Sequence, residues 1–484
     1  MGSIEELYSL IRSMTKSEKR YFRLTSGLQS GPKSYLTLFD LLDKAPTYDE
    51  HTVKSLNEAF PVNSIEPARK HLQRMIMRSL RLFDSDKDTE SRLSNLLNEA
   101  RILYNKGLTK MAFEQLAKAK SLARKREKFI FYILAAKQEL QYLVRSHFVG
   151  LNEYQLLEKQ KEITALLQQE LRIHQHAMLH EVLLLRYWKN GIARSQKESL
   201  MLNDLLLEEY QLLNAPGEKP FALLEHHLYF QSTYFQMTGS PEGSLKVFYD
   251  LNDLFQQHPH LWKDEPASYF DVLDGILFDL RWMDRYDDMN FFLNNMKEIE
   301  SGENMDAMIP LRILEHELNR KVDQGKSNEA RAILENQLVL VNRNISQLPL
   351  KIQASLAFAM ARVWLVNMEY SKALKLINKM LNLPSSAMNQ AQHVYFQLFH
   401  LQITALLKEY DNLHYAIRAA ERKLKSERKL YGVEQLILQV LKRLAASKPM
   451  HNVKEMTESL EENPHERLLL KELCVKWWLE TLET

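Results

Sequence analysis

The chain has 484 residues with 64 Lys and Arg against 62 Asp and Glu, a balance that excludes a strong overall bias toward nucleic acid or membrane surfaces. A single cysteine excludes an intramolecular disulfide framework, and no apolar run reaches the roughly 20 residues of a membrane helix. The 45% apolar residues and only 13 glycines are typical of a long helical chain with a continuous core. Because the start MGSIEELYSL lacks the pattern of a secretory signal, we expect a cytoplasmic protein with no membrane partner.

Residues 1 to 85 are predicted to form a helical N-terminal block. Capping-box spacing, an N-cap oxygen followed three residues later by Glu, predicts helices that begin after Thr15, Thr47 and Asn63. The segment TKSEKRYFRL in this block resembles uncharacterised bacterial proteins that place such helices before an array of repeats. That resemblance implies no activity.

Two rows of basic residues lie on predicted helices of this block, each on one helical face. The eight residues are Lys16, Lys19, Arg20, Arg23, Lys70, Arg74, Arg78 and Arg81. Turn-like segments between the helices would allow a helix-turn-helix whose last helix enters a groove, so these are candidate nucleic-acid contacts. Solvated helix faces are the favoured explanation, because the block has only 13 basic against 9 acidic residues through Phe83.

The stretch from Leu96 to Leu122 predicts two helices folded against each other at Gly107. Ala100, Ala112 and Ala119 stand at offsets where small side chains let antiparallel helices approach closely. The glycine permits turn backbone that other residues resist. This arrangement resembles the tetratricopeptide repeat, a helical hairpin with small residues at the same positions.

Equivalent positions recur along the rest of the chain. They are Ala112, Ser244, Met289, Ala330, Ala373 and Leu413. The last five are separated by 45, 41, 43 and 40 residues, and the first gap of 132 leaves room for degenerate copies near Leu157 and, after a turn at Gly191, near Leu200. We therefore predict an all-α, right-handed solenoid of about eight hairpins over residues 86 to 450. Because the spacing exceeds the 34 residues of the tetratricopeptide family, HEAT-type repeats are an alternative with the same architecture.

The resemblance implies that the first helix of each hairpin lines a groove that takes up peptides or helices. We expect the residue after each small position of the first helix to face this groove. The predicted partner-binding residues are Arg101, Asn105, Asn319, Arg362 and Gln402. A polar face exposed to water explains them equally, and under either reading replacing Arg101, Asn319 and Arg362 with Ala should leave the melting temperature nearly unchanged.

A histidine-rich stretch is the one candidate for metal chemistry. His176 and His180 stand four residues apart on a predicted helix beside Glu181 and could supply two ligands. The sequence identifies no third ligand and no HExxH motif, and nothing in it supports a role for His226 or His227. We therefore expect no catalytic residue, no metal, no cofactor and no enzymatic activity.

Residues 451 to 484 are predicted to form a capping helix that covers the last apolar face of the array. Asn463, Pro464 and Glu466 have the pattern of an N-cap, a first-turn proline and a capping-box acid. An exposed Trp478 would instead indicate an anchor for a partner or a second copy.

These features favour a non-enzymatic scaffold or adaptor that binds a protein or peptide in its groove. The alternative is a transcription-type regulator whose basic N-terminal helices bind nucleic acid while the repeats sense a partner.

Overall fold

The structure is a computed structural model of the chain. It describes residues 3–27, 34–61, 64–214, 216–300, 305–384, 388–409, 413–427, 429–447 and 453–483. Over these ranges the secondary structure is helical with no strand, which confirms the all-α prediction. The chain divides into two compact units, Met1–Leu166 and Leu167–Thr484. Among the described residues, no helix combines the length and apolarity needed to cross a membrane.

Five helices with their own apolar core begin the first unit. They are α1 (Ile4–Ser13), α2 (Lys16–Gly27), α3 (Ser34–Lys44), α4 (Glu50–Ala59) and α5 (Ile65–Phe83). Phe22, Phe39 and Leu72 are fully buried at the centre of this core. The apolar face of α5 therefore points inward, as its spacing predicts.

The predicted capping boxes have different outcomes. At Thr15 the box forms, because Thr15 Oγ1 accepts from the Glu18 amide at 3.1 Å and Glu18 accepts from the Thr15 amide at 2.7 Å. The box predicted at Thr47 is wrong. The N-cap of α4 is Asp49, whose carboxylate accepts from the Thr52 amide at 3.0 Å. Asn63 lies outside the described residues.

The rest of the first unit confirms the first predicted hairpin. Helices α6 (Thr89–Asn105) and α7 (Thr109–Lys125) pack against each other, and α8 (Phe129–Arg145) packs on α7. Ala100, Ala112 and Ala119 have no exposed surface, so the small residues stand where the helices meet.

A long helix, α9 (Glu153–Asn190), departs from the predicted repeats. It runs through 38 residues, so the copy expected near Leu157 occupies its first turns and has no separate second helix. The turn predicted at Gly191 is present, with φ +75°, but two short helices follow it rather than one. These are α10 (Gln196–Leu200) and α11 (Asn203–Leu213).

Repeat-like helical hairpins make up most of the second unit. The helices are α12 (Phe221–Thr238), α13 (Pro241–Gln257), α14 (Pro259–Trp262), α15 (Ala267–Trp282), α16 (Met289–Lys297), α17 (Met308–Asp323), α18 (Ser327–Asn344), α19 (Leu350–Val366), α20 (Tyr370–Leu381), α21 (Gln390–Leu406), α22 (Leu413–Ser426), α23 (Gly432–Ala445), α24 (Val453–Glu461), α25 (Pro464–Glu472) and α26 (Val475–Glu483), with a 3-10 turn at Ile345–Gln347. Five consecutive pairs from α12–α13 to α21–α22 pack as hairpins, and each pair contacts the next. Their predicted close-packing positions, from Ser244 to Leu413, are all buried.

The first helix of each of these hairpins is followed by a residue in the left-handed region. These residues are Gly239, Asp284, Gly325, Met368 and Lys408, with φ between +60° and +77°. Their separations repeat the 45, 41, 43 and 40 residues of the close-packing positions. A left-handed residue lets the backbone reverse direction directly after the helix, which explains how the chain makes the same turn without glycine at three of the five positions.

The predicted capping helix is two helices. Cys474, between α25 and α26, has φ +48°, and this backbone interrupts the helix after Glu472. Trp478 is fully buried in the core that α17 to α26 share, so the alternative of an exposed anchor at this position is wrong. Helix α25 begins at Pro464 as predicted, and the Glu466 carboxylate bonds to Arg194 and the Val433 amide.

Candidate protein-binding site

Two of the predicted groove residues, Arg362 and Gln402, hydrogen-bond to the chain at the end of α25, and a third, Asn319, hydrogen-bonds to Arg362. Asn319, Arg362 and Gln402 occupy the same slot on α17, α19 and α21, the first helices of three consecutive hairpins, and each is buried. Gln402 Nε2 donates to the carbonyl of Leu473 at 3.2 Å, and Arg362 Nη2 donates to the carbonyl of Lys471 at 2.9 Å. The slot is therefore occupied, and its occupant is the end of α25 of the same chain. These three side chains are therefore buried within the chain itself, and their contact with an external protein stays a prediction.

A buried charge network supports this slot. Asp323 on α17 accepts from Arg362 Nη2 at 2.5 Å and from Arg281 Nε, on α15, at 2.6 Å. Arg362 Nη1 also donates to Asn319 at 2.5 Å. Burial by itself would raise the pKa of Asp323, but the two guanidinium charges lower it below its ordinary value. The carboxylate therefore stays ionised and holds both arginines in position.

Arg281 links this network to the last turn of α25. Its Nη1 donates to the Glu472 carboxylate at 2.5 Å, while Lys471 Nζ donates to the carbonyl of Trp282 at 3.1 Å and to Asp284 at 2.5 Å. A lysine at the carbonyl end of α15 also interacts favourably with the helix dipole. Asp284, which the sequence suggests is an ordinary turn residue, thus forms an ion pair with Lys471 of α25.

The first turn of α25 is held by Arg194. This guanidinium donates to Glu466 at 2.6 Å and to Glu434, on α23, at 2.5 Å, and it lies over the Tyr431 ring at 4.5 Å. Arg194 precedes Glu434 by 240 residues and Glu466 by 272. In an open repeat array each unit contacts only its neighbours, so these contacts show that the second unit folds back on itself.

Apolar packing completes the contact of α25 and α26 with the hairpins. Leu469, Leu473 and Val475 are buried in the same core as helices α17 to α23. The α25–α26 segment is thus anchored by ion pairs at both ends of α25 and by leucines between them.

The two predicted groove residues in the first unit have a different environment. Arg101 and Asn105 lie on α6, and both side chains are exposed. Arg101 Nη2 donates to Asn98 Oδ1 at 3.0 Å. The structure shows no α25-like occupant at these two positions, among the residues that it describes in this unit.

The predicted nucleic-acid residues fall into two groups. On α2, Lys19 pairs with Asp43 at 2.8 Å and Arg23 pairs with Asp43 at 2.7 Å, and both interactions lower the pKa of Asp43 against the effect of its burial. The remaining members, Lys16, Arg20, Lys70, Arg74, Arg78 and Arg81, are exposed. Lys70 lies 3.8 Å from Glu66 on its own helix. The α2 row is therefore partly neutralised within the fold, and the α5 row is open to solvent.

The histidines that the sequence singled out are not paired with each other. His176 on α9 meets Glu209 on α11 and His227 on α12, whereas the His180 ring stacks on Tyr229 with centroids 5.5 Å apart. Sequence spacing pairs His176 with His180, but the structure brings His176 together with His227 instead. The third potential ligand, which the sequence does not identify, is Glu209. No local spacing indicates this set, because its members come from three helices.

No pattern in the sequence indicates that Arg194 and Arg281 belong to this site, because their partners lie far along the chain. Together with Arg362 and Gln402, they make the face that holds α25 the candidate protein-binding site of the second unit. Comparison of the chain with family models, with characterised proteins and with solved structures gave no match.

Proposed function

We propose that this chain is a non-enzymatic scaffold or adaptor that binds a helical segment of a partner protein on the face that holds α25. The observation that carries the proposal is the pair of hydrogen bonds from Arg362 and Gln402 to the main-chain carbonyls of Lys471 and Leu473, at the end of α25 and directly after it. Main-chain carbonyls are present in every helix, so these donors recognise a helix end whatever its sequence. The tetratricopeptide-like solenoid, with its regular spacing of hairpins, is the architecture that we propose for this role.

The side chains of α25 suggest the motif of such a partner. Glu466 and Glu472 meet Arg194 and Arg281, and Leu469 and Leu473 enter the core. A partner helix would therefore carry acidic residues six positions apart, with apolar residues at the third and seventh positions after the first acid. Helix-in-groove recognition of this kind depends on a few such anchors.

The α25–α26 segment must leave before a partner helix can take its place. Separating one partner from a buried ion pair costs about 3–5 kcal/mol, and Arg194 and Arg281 each form such pairs. The apparent affinity for a partner is reduced by the fraction of molecules in which the site is open. The segment thus acts as an internal competitor that sets the threshold for binding.

The test uses a fluorescent peptide of residues 463–483 and full-length protein. Replacing Glu466 and Glu472 with Gln removes the anchors of α25, and replacing the exposed Glu458 and Glu480 with Gln gives a control with the same change in charge. We expect the first variant to bind the peptide at least tenfold more tightly than the wild type or the control, measured by fluorescence anisotropy. Circular dichroism checks that both variants keep the wild-type helical content. Equal binding by both variants, or none by either, contradicts the proposal.

A second candidate function is nucleic-acid binding by the first unit. It is favoured by the exposed row of Lys70, Arg74, Arg78 and Arg81 on α5, opposite the buried Leu72. It is weakened by the acidic partners of Lys19 and Arg23 on α2. A regulator of this type would use the second unit to sense its partner.

A further inference from the structure

Three potential metal ligands converge inside the second unit. His176, Glu209 and His227 each offer a ligand atom, and these atoms all lie within 4.8 Å of one another. Neighbouring ligand atoms around a tetrahedral zinc ion are about 3.4 Å apart, given zinc–ligand distances near 2.1 Å. Small side-chain adjustments therefore suffice to bring the three groups to a common ion.

The environment of His176 is the second observation that points to a ligand. Its side chain is 1% exposed, and neither ring nitrogen has a hydrogen-bond partner. Buried imidazole nitrogens are almost always paired, so an unpaired ring next to a carboxylate requires an explanation. A metal ion would take one of these nitrogens as a ligand.

A hydrogen-bonded pair without metal does not explain the whole cluster. His227 Nδ1 contacts Glu209 Oε1, and a proton between them would satisfy those two groups. His176 Nδ1, 3.9 Å from the same carboxylate oxygen, would remain without a partner.

We propose that His176, Glu209 and His227 bind a divalent transition-metal ion, and that this ion is zinc. Two imidazoles with one carboxylate form a known zinc ligand set, which leaves a fourth position for water. Imidazole nitrogen favours zinc over magnesium or calcium, which prefer oxygen ligands.

The position of the site indicates a structural role. Its ligands come from α9, α11 and α12, whose Leu183, Leu205 and Phe230 also share one apolar cluster. Helix α9 ends at Asn190, four residues before Arg194. An ion that holds α9 against α11 and α12 therefore also holds the chain just before Arg194, the residue that bonds to Glu466 on α25.

The experiment measures metal binding by the full-length protein. Protein stripped with a chelator is titrated with Zn²⁺ by calorimetry and with Co²⁺ by its visible absorption, which reports tetrahedral coordination directly. We expect one ion per chain for the wild type and at least a hundredfold weaker binding after His176→Ala or Glu209→Gln. His180→Ala is the matched control, since this histidine lies one turn away on the same helix and stacks on Tyr229.

Thermal unfolding gives a second readout that does not depend on the variants being fully native. Zn²⁺ should raise the melting temperature of the stripped wild type and of the His180→Ala variant, and leave that of His176→Ala unchanged. Failure of the wild type to bind either ion overturns the proposal. Equal loss of binding in His176→Ala and His180→Ala also overturns it, because the ion would then be held elsewhere.

Discussion

Gln402 donates a hydrogen bond from Nε2 to the carbonyl of Leu473, 71 residues further along the chain, and both residues are fully buried. The repeat pattern assigns Gln402 to the surface that lines a groove, and the structure fills that surface with the chain's own α25. A residue chosen as a contact for an external partner therefore contributes first to the stability of the fold. Four predictions concern the stability of the fold, its dependence on pH and the binding of nucleic acid.

Replacing Arg362 with Ala should lower the free energy of unfolding by about 3–5 kcal/mol, because Asp323 and Asn319 would lose a buried partner. This reverses the expectation from sequence that the change is neutral. Arg101→Ala is the control, since Arg101 is exposed, and it should change stability by less than about 0.5 kcal/mol. Urea unfolding followed by circular dichroism measures both. Similar values for the two variants would mean that Arg362 is not held as described.

The register of the hairpins is tested at Ala373. This residue has no exposed surface between α19 and α20, so Ala373→Glu would bury a charge without a partner and destabilise the protein by several kcal/mol. Lys375→Glu introduces the same side chain at an exposed position two residues away on α20 and should have little effect. Thermal unfolding compares them. Equal melting temperatures would show that α20 presents a different face to its neighbour.

The hairpins could be predicted from the sequence because small residues and turns at fixed offsets are a local signal. Ala112, Ala330 and Ala373 stand at buried helix contacts as their spacing indicates. Arg362 and Gln402 also lie on the first helices of their hairpins, α19 and α21. The occupant of this slot could not be predicted, because the bonds from Gln402, Arg362, Arg281 and Arg194 to this part of the chain join residues between 71 and 272 positions apart, and no periodic pattern encodes them.

The histidine cluster shows the same limit at a smaller scale. Spacing within one helix pairs His176 with His180, whereas packing pairs it with residues from α11 and α12. Long α9 is a further departure, since its 38 residues replace a helix pair that the average repeat length requires. Sequence periodicity thus predicts neighbours within a hairpin and fails for contacts between distant elements.

The buried carboxyl of Asp279 gives a prediction for pH. Burial raises its pKa to about 7 from 3.8, so between these values the folded protein binds a proton that the unfolded chain has released. The stability from this group is complete below pH 3.8 and is lost as the pH rises to about 7. A shift of this size corresponds to about 4 kcal/mol.

Asp279→Asn removes the titration, so the variant should gain stability relative to the wild type between pH 5 and pH 8, measured by urea unfolding at each pH. A difference that does not change with pH would contradict the assignment.

The last prediction concerns nucleic acid and the exposed basic row of α5. If these side chains contact phosphates, affinity for duplex DNA falls steeply with salt because neutralised phosphates release counterions. Reversal of Lys70, Arg74 and Arg78 to Glu should then abolish binding and leave the helical content intact, since Leu72 and Ile76 on the other face are unchanged.

A control for net charge reverses Lys110, Lys118 and Lys125, which are exposed on α7. If binding is specific to α5, only the α5 variant loses it in a gel-shift titration at about 150 mM salt, where charges are screened beyond about 8 Å. If the rows are solvated helix faces, the wild type shows no shift at micromolar protein under these conditions. We expect the second result, because Asp40 and Asp43 already neutralise Lys19 and Arg23 on α2, which leaves α5 as the one fully exposed row in the described part of this block. A shift that the α5 reversal alone removes would make the regulator the better hypothesis.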